Sequence, residues 1–175
     1  MEGTVREIDG RYVLRFERRL DHQVEKVWAA LTEPERLAEW LAEADLELIE
    51  GERVELRWQN TDEHGNTAVA RGTITRLDPP RLLEIDTDIH GLLRWELRKD
   101  GDGCLLTFTN ASPAPEDMLA IVLAGWHIHL DHLADSLTGH PVNWPTWTRD
   151  HLERWKELRD GYAEEVGSAE RRTGS

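Results

Sequence analysis

Between residues 45 and 110 apolar side chains recur at every second position in one run after another. That pattern commits most of the chain to antiparallel sheet. The runs are 46–49, 53–59, 67–77, 82–87, 92–98 and 104–109. Between them stand Glu50-Gly51-Glu52, Glu63-His64-Gly65-Asn66, Asp78-Pro79-Pro80, Ile89-His90-Gly91 and Asp100-Gly101-Asp102-Gly103, rich in residues that accept the backbone angles of tight turns. Alternation assigns Val54, Leu56, Trp58, Leu83, Ile85, Leu93, Trp95, Leu97, Leu106 and Phe108 to one inner face.

On either side of this meander the period changes. Tyr12, Leu14 and Phe16 alternate in a first strand over 11–20, and then Val24, Val27, Trp28 and Leu31 fall at the spacing of a short helix. Glu33-Pro34 breaks it, and a second short helix carrying Leu37, Trp40 and Leu41 follows. After Ser112-Pro113-Ala114-Pro115 the longest helix is predicted over 116–138, with Leu119, Leu123, Trp126, Leu130, Leu133 and Leu137 along one stripe and Gly139 and Pro141 beyond its end. The order strand, two short helices, strand meander, long helix is an α+β architecture. One helix covers a curved sheet incompletely, so an apolar cavity is expected, lined by inner strand residues, the second short helix and a flank of the long helix. One domain is expected over 1–140. A Trp-rich tail with an amphipathic helix over 141–166 packs on that domain, over the cavity mouth, or on a partner subunit in a homodimer, and 167–175 is expected to be disordered.

Composition narrows the function classes. With 21 Lys and Arg against 35 Asp and Glu the formal net charge is −14, which repels nucleic acid and anionic membrane surfaces. The single cysteine, Cys104, precludes an intrachain disulfide and a CxxC motif. No apolar stretch approaches the roughly 20 residues of a membrane span, and cytoplasm is the expected compartment. Eight Trp in 175 residues are the compositional anomaly, and such rings serve cores and ligand pockets alike.

Three stretches carry a family likeness. They are Val27-Trp28-Ala29-Ala30-Leu31-Thr32-Glu33-Pro34 with Leu37 and Trp40, Gly72-Thr73-Ile74 leading to Leu77-Asp78-Pro79-Pro80-Arg81-Leu82, and Gly125-Trp126 leading to Leu130 and Leu133. Over about residues 11–138 the chain resembles the START-like, polyketide-cyclase-like (SRPBCC) superfamily. Within it, the chain is most similar to bacterial homologues of the activator of the heat-shock-protein-90 ATPase. The resemblance implies a helix-grip fold, a curved antiparallel sheet wrapped around a long C-terminal helix. It also implies a spread of functions: lipid, hormone or polyketide binding, cyclisation or hydrolysis, and stimulation of a chaperone ATPase. Asp21-His22-Gln23 departs from the family pattern, in which a Pro is common before the first helix.

Few residues suggest chemistry. His127, His129 and His132 cluster on the long helix, but His127 and His129 lie about 200° apart around it, so no metal site is expected. His129, beside Trp126 and near Met118 and Val122, is the candidate pocket base or hydrogen-bonding group. Cys104 has no sign of an activating partner, and Asp86 with Asp88 reads as a solvated strand face. Phosphate-cradling glycine motifs are absent and no cofactor is implied. The leading expectation is a binding protein for a small hydrophobic or aromatic molecule, contacted by Trp40, Trp58, Trp95, Met118, Val122, Trp126 and His129. Alternatives are a cyclase- or hydrolase-type enzyme with His129 as base, and a co-chaperone-like protein with a chaperone partner.

Overall fold

In the computed structural model, which describes residues 2–62 and 64–173, the described strands form one eight-stranded antiparallel sheet. They are β1 (Thr4–Ile8), β2 (Arg11–Leu20), β3 (Ala42–Leu46), β4 (Arg53–Trp58), β5 (Val69–Asp78), β6 (Leu82–Thr87), β7 (Gly91–Asp100) and β8 (Gly103–Ser112). The order across the sheet is β1-β2-β8-β7-β6-β5-β4-β3. The two short helices, α1 (Val24–Thr32) and α2 (Pro34–Leu37), therefore carry the chain from β2 to the far edge, from which it returns hairpin by hairpin. The inner-face residues assigned by alternation are buried, with Trp58 half-buried at the end of β4.

Three local expectations are corrected. First, the sheet gains an edge strand, β1, whose sequence Thr-Val-Arg-Glu-Ile has one half-buried apolar residue and so little period-two signal. It is set by the turn Asp9-Gly10, whose φ values of 52° and 76° are those of a tight two-residue hairpin. Second, the strand expected at 46–49 lies at 42–46, and α2 stops at Leu37, leaving Trp40 and Leu41 in the turn before it. Buried Ala42 and Ala44 stand opposite the bulky Trp58 and Leu56, so small residues occupy the inner face and leave little apolar period in the sequence. Third, residues 116–118 form a 3-10 turn rather than the start of the long helix.

Helix α3 (Leu119–Leu137) buries all six residues of its expected stripe, and also Ala124, His127 and Ile128 on other faces. A helix buried on more than one side needs more than one cover. The sheet is one, and α4 (Trp147–Thr173) is the other, burying Trp147, Leu158 and Tyr162. The Trp-rich tail thus packs on its own domain. A further correction falls at its end. The sequence reads as disordered from 167, yet the helix continues through 173, since extending a docked helix adds one hydrogen bond per residue without a new nucleation cost. Residues 174–175 lie outside the described residues.

Candidate aromatic-walled cleft

The space between sheet and α3 is filled by an aromatic chain. Phe16 meets Phe108 (centroids 6.4 Å apart), Trp95 meets Phe108 (5.0 Å), and Phe108 meets Trp126 (4.6 Å). Where this chain ends, the molecule keeps a cleft with a cavity volume of about 300 Å³. Trp58 at the end of β4, His90 in the β6–β7 turn and Trp126 on α3 form its inner wall, with ring centroids 4.7, 5.8 and 6.3 Å apart. Val122, Gly125 and His129 of α3 continue it, Trp147 and Trp155 of α4 close one side, and Asn60 and Asp62 of the β4–β5 loop close another.

The wall is held by short-range polar bonding. Thr87 Oγ1 donates to the Gly91 carbonyl (2.9 Å) and accepts the His90 amide (3.1 Å), which bends the turn so that His90 stands over Trp58. Gly91, at φ 70°, runs so close to β8 that a Cβ would lie 2.2 Å from the Ala111 carbonyl oxygen. Fully buried Asn110 then couples turn to helix. Its Nδ2 donates to the His90 carbonyl (2.6 Å) and the Leu92 carbonyl (3.2 Å), and its Oδ1 accepts the Trp126 indole N–H (3.1 Å). Asp62 Oδ1 accepts the amides of His64 and Asn66, which folds the loop at the rim and holds that carboxyl below its ordinary pKa.

The histidines here are neutral. Burial pushes His129 and His90 down to about 4 and His132 down to about 3. Their tautomers follow from their partners. His129 Nδ1 lies 2.7 Å from the Gly125 carbonyl oxygen, which can only accept, so Nδ1 carries the proton and Nε2 a lone pair. That Nε2 is buried and has no hydrogen-bond partner. His132 Nε2 instead accepts the Trp147 indole N–H (3.0 Å), and so helps seat α4 beside the cleft. On the opposite side of α3, the Tyr162 hydroxyl accepts the Gly3 amide (3.0 Å) and meets His127 Nδ1 (2.7 Å).

The family model described as Activator of Hsp90 ATPase homolog 1-like protein matches residues 21–138, well over half of the chain. The chain belongs to this family. This AHSA1-like protein is an SRPBCC helix-grip protein, and its fold is that of CalU16 from Micromonospora echinospora. That crystal structure has a TM-score of 0.70 at 28% identity and covers 94% of this chain and 95% of that one. The protein encoded by gene BPP1335 of Bordetella parapertussis gives 0.67 at 28%, covering 92% and 89%. DynU16, a protein in the dynemicin biosynthetic locus, gives 0.64 at 22% over 74% of this chain and 48% of its own, a likeness of fold alone. No curated protein sequence matches the chain.

Within the AHSA1-like fold, four of the seven residues expected to contact a ligand meet at the cleft: Trp58, Val122, Trp126 and His129. Three do not. Trp40 is fully buried, its indole N–H donating to the Ala30 carbonyl (2.8 Å), so it packs α1 against the turn after α2. Trp95 is buried in the aromatic chain, and Met118 lies exposed in the 3-10 turn before α3. Residues of α2 do not line the cleft either, contrary to expectation, because the core fills the space beneath that helix. His90, Asn60 and Asn110 were not foreseen. His90 read only as part of a turn signal, and no sequence period marks an asparagine that bridges a turn and a helix. Among the described residues no three His, Cys, Asp or Glu are grouped to hold a metal ion, and no helix is long and apolar enough to cross a membrane.

Proposed function

We propose that this AHSA1-like protein binds a small, mainly apolar aromatic molecule in the cleft between the Trp58–His90–Trp126 wall and α4. The observation that carries this reading is the buried, unpartnered Nε2 of His129, a residue that lines an otherwise largely aromatic cleft. A buried acceptor left unpaired costs about 1–3 kcal/mol, and a ligand that pairs it recovers that cost. The aromatic walls contribute more to affinity, about 25 cal/mol for each Å² of apolar surface removed from water. Four indoles around one small cavity give flat rings the offset and edge-on contacts they favour.

The enzyme reading is weaker on the same geometry. A general base works best with a pKa near the working pH, and burial has taken His129 down to about 4, where its lone pair accepts a hydrogen bond readily and a proton poorly.

Gly125 offers the test, because it lines the cleft and a Cβ there would meet nothing within 4 Å. The substitution Gly125→Leu fills the cleft, and in a helix interior it favours the fold by about 0.5–1 kcal/mol. Native mass spectrometry of the wild-type protein from its expression host is expected to show a bound small molecule that the variant lacks. The same bound mass on both proteins would place the ligand elsewhere.

A further inference from the structure

Resting on that reading of the cleft, the chemistry of its polar atoms narrows the class of molecule. The described lining residues carry three buried polar atoms without a partner, one an amide oxygen and two on neutral imidazoles. His129 Nε2 is an acceptor because Nδ1–H is committed to the Gly125 carbonyl, and Asn60 Oδ1 is a second buried acceptor without a partner. His90 Nε2 is likewise buried without a partner, on the neutral ring tilted against Trp58. No Lys or Arg is among the described lining residues, so a carboxylate or phosphate would be buried without a counter-charge in a protein of net charge −14. At the rim, the Asp62 carboxylate already accepts two backbone amides.

We infer that the molecule this cleft takes is an uncharged flat aromatic bearing a hydroxyl, a phenol, whose O–H donates to His129 Nε2 while its ring lies against Trp58, His90 and Trp126. Ethers, ketones and carboxylates of the same skeleton bring no donor to His129 Nε2 and leave it unpaired. A site built to hydrogen-bond a hydroxyl discriminates strongly against the analogue that lacks it. Methylation of the hydroxyl is therefore the most informative single change in a probe, since it keeps the ring and removes the donor. The neutral state of His129 matters too, because an imidazolium would have no lone pair to offer.

The experiment titrates the full chain at pH 7.5 with 2-naphthol, 2-methoxynaphthalene and 2-naphthoate, following tryptophan fluorescence, and repeats the first titration on protein labelled with ¹⁵N-histidine. The expected result is that 2-naphthol binds about tenfold tighter than the methyl ether, the naphthoate binds weakest, and the His129 Nε2 resonance moves upfield. In His129→Phe, which keeps an aromatic ring of similar size, the preference for the phenol over the ether is expected to vanish. Equal affinity of the wild-type protein for naphthol and ether, or tighter binding of the naphthoate, would overturn the phenol assignment and leave the aromatic-binding reading standing. Failure of all three probes to bind at their solubility limits would overturn both.

Discussion

At the residue scale, what distinguishes this cleft from ordinary core is the handling of its histidines. His90, His129 and His132 are held neutral by burial, at about 4, 4 and 3 against 6.5 for a free imidazole. Below pH 6.5 the unfolded chain takes up protons at these positions and the folded chain does not, so stability falls as pH falls towards 4. The loss approaches about 1.4 kcal/mol per pH unit for each group between its two pKa values. Urea midpoints measured from pH 7.5 to 5 are expected to drop, and His132→Asn together with His90→Asn should flatten that slope. A midpoint that holds constant over the interval would contradict the buried neutral state. The sequence showed His129 well, because it shares a helix flank with Trp126 and Val122. It hid His90, since a single turn histidine has no periodic context, and it misjudged Trp95, whose strand alternation is the same whether its ring meets Phe108 or a ligand.

At the scale of elements, the decisive piece is α4. The meander and the stripe of α3 were legible because each rests on a repeated period, whereas the pairing of α3 with α4 depends on residues spread over two segments. His127 and His132, set aside as metal ligands in the sequence, are each a docking point. The first meets Tyr162 and the second accepts from Trp147. Removing the Tyr162 hydroxyl leaves the Gly3 amide and His127 Nδ1 unpaired in a buried site. Tyr162→Phe is therefore expected to cost about 1–3 kcal/mol in chemical denaturation, and to raise amide hydrogen exchange in α4 more than in β7 or β8. Exchange that rises uniformly over the sheet instead would show that α4 is not a separately docked unit. Small strands were the other blind spot. Ala42 and Ala44 form a buried face with too little apolar volume to register as one, and they need only be small because Trp58 and Leu56 stand opposite.

At the scale of the whole molecule, the curved sheet and α3 alone would leave an open groove, and aromatic packing from Phe16 to Trp126 fills most of it. What survives is a pocket at one end, under α4 and beside the β4–β5 loop, rather than the long cavity that topology by itself suggests. This is why the fold could be read from the chain with its family while the site could be read only in part. The fold is a consequence of periods and turns, but an opening is set by which few side chains stop short of filling it. If the ligand occupies this remaining space, the tryptophan indoles around it report the event directly. In ¹H–¹⁵N spectra of the protein titrated with 2-naphthol, the indole signals of Trp58, Trp126, Trp147 and Trp155 are predicted to move, while those of Trp28, Trp40 and Trp95 stay in place. Shifts confined to the second group, or absent from every indole at saturation of the probe, would contradict binding in the cleft.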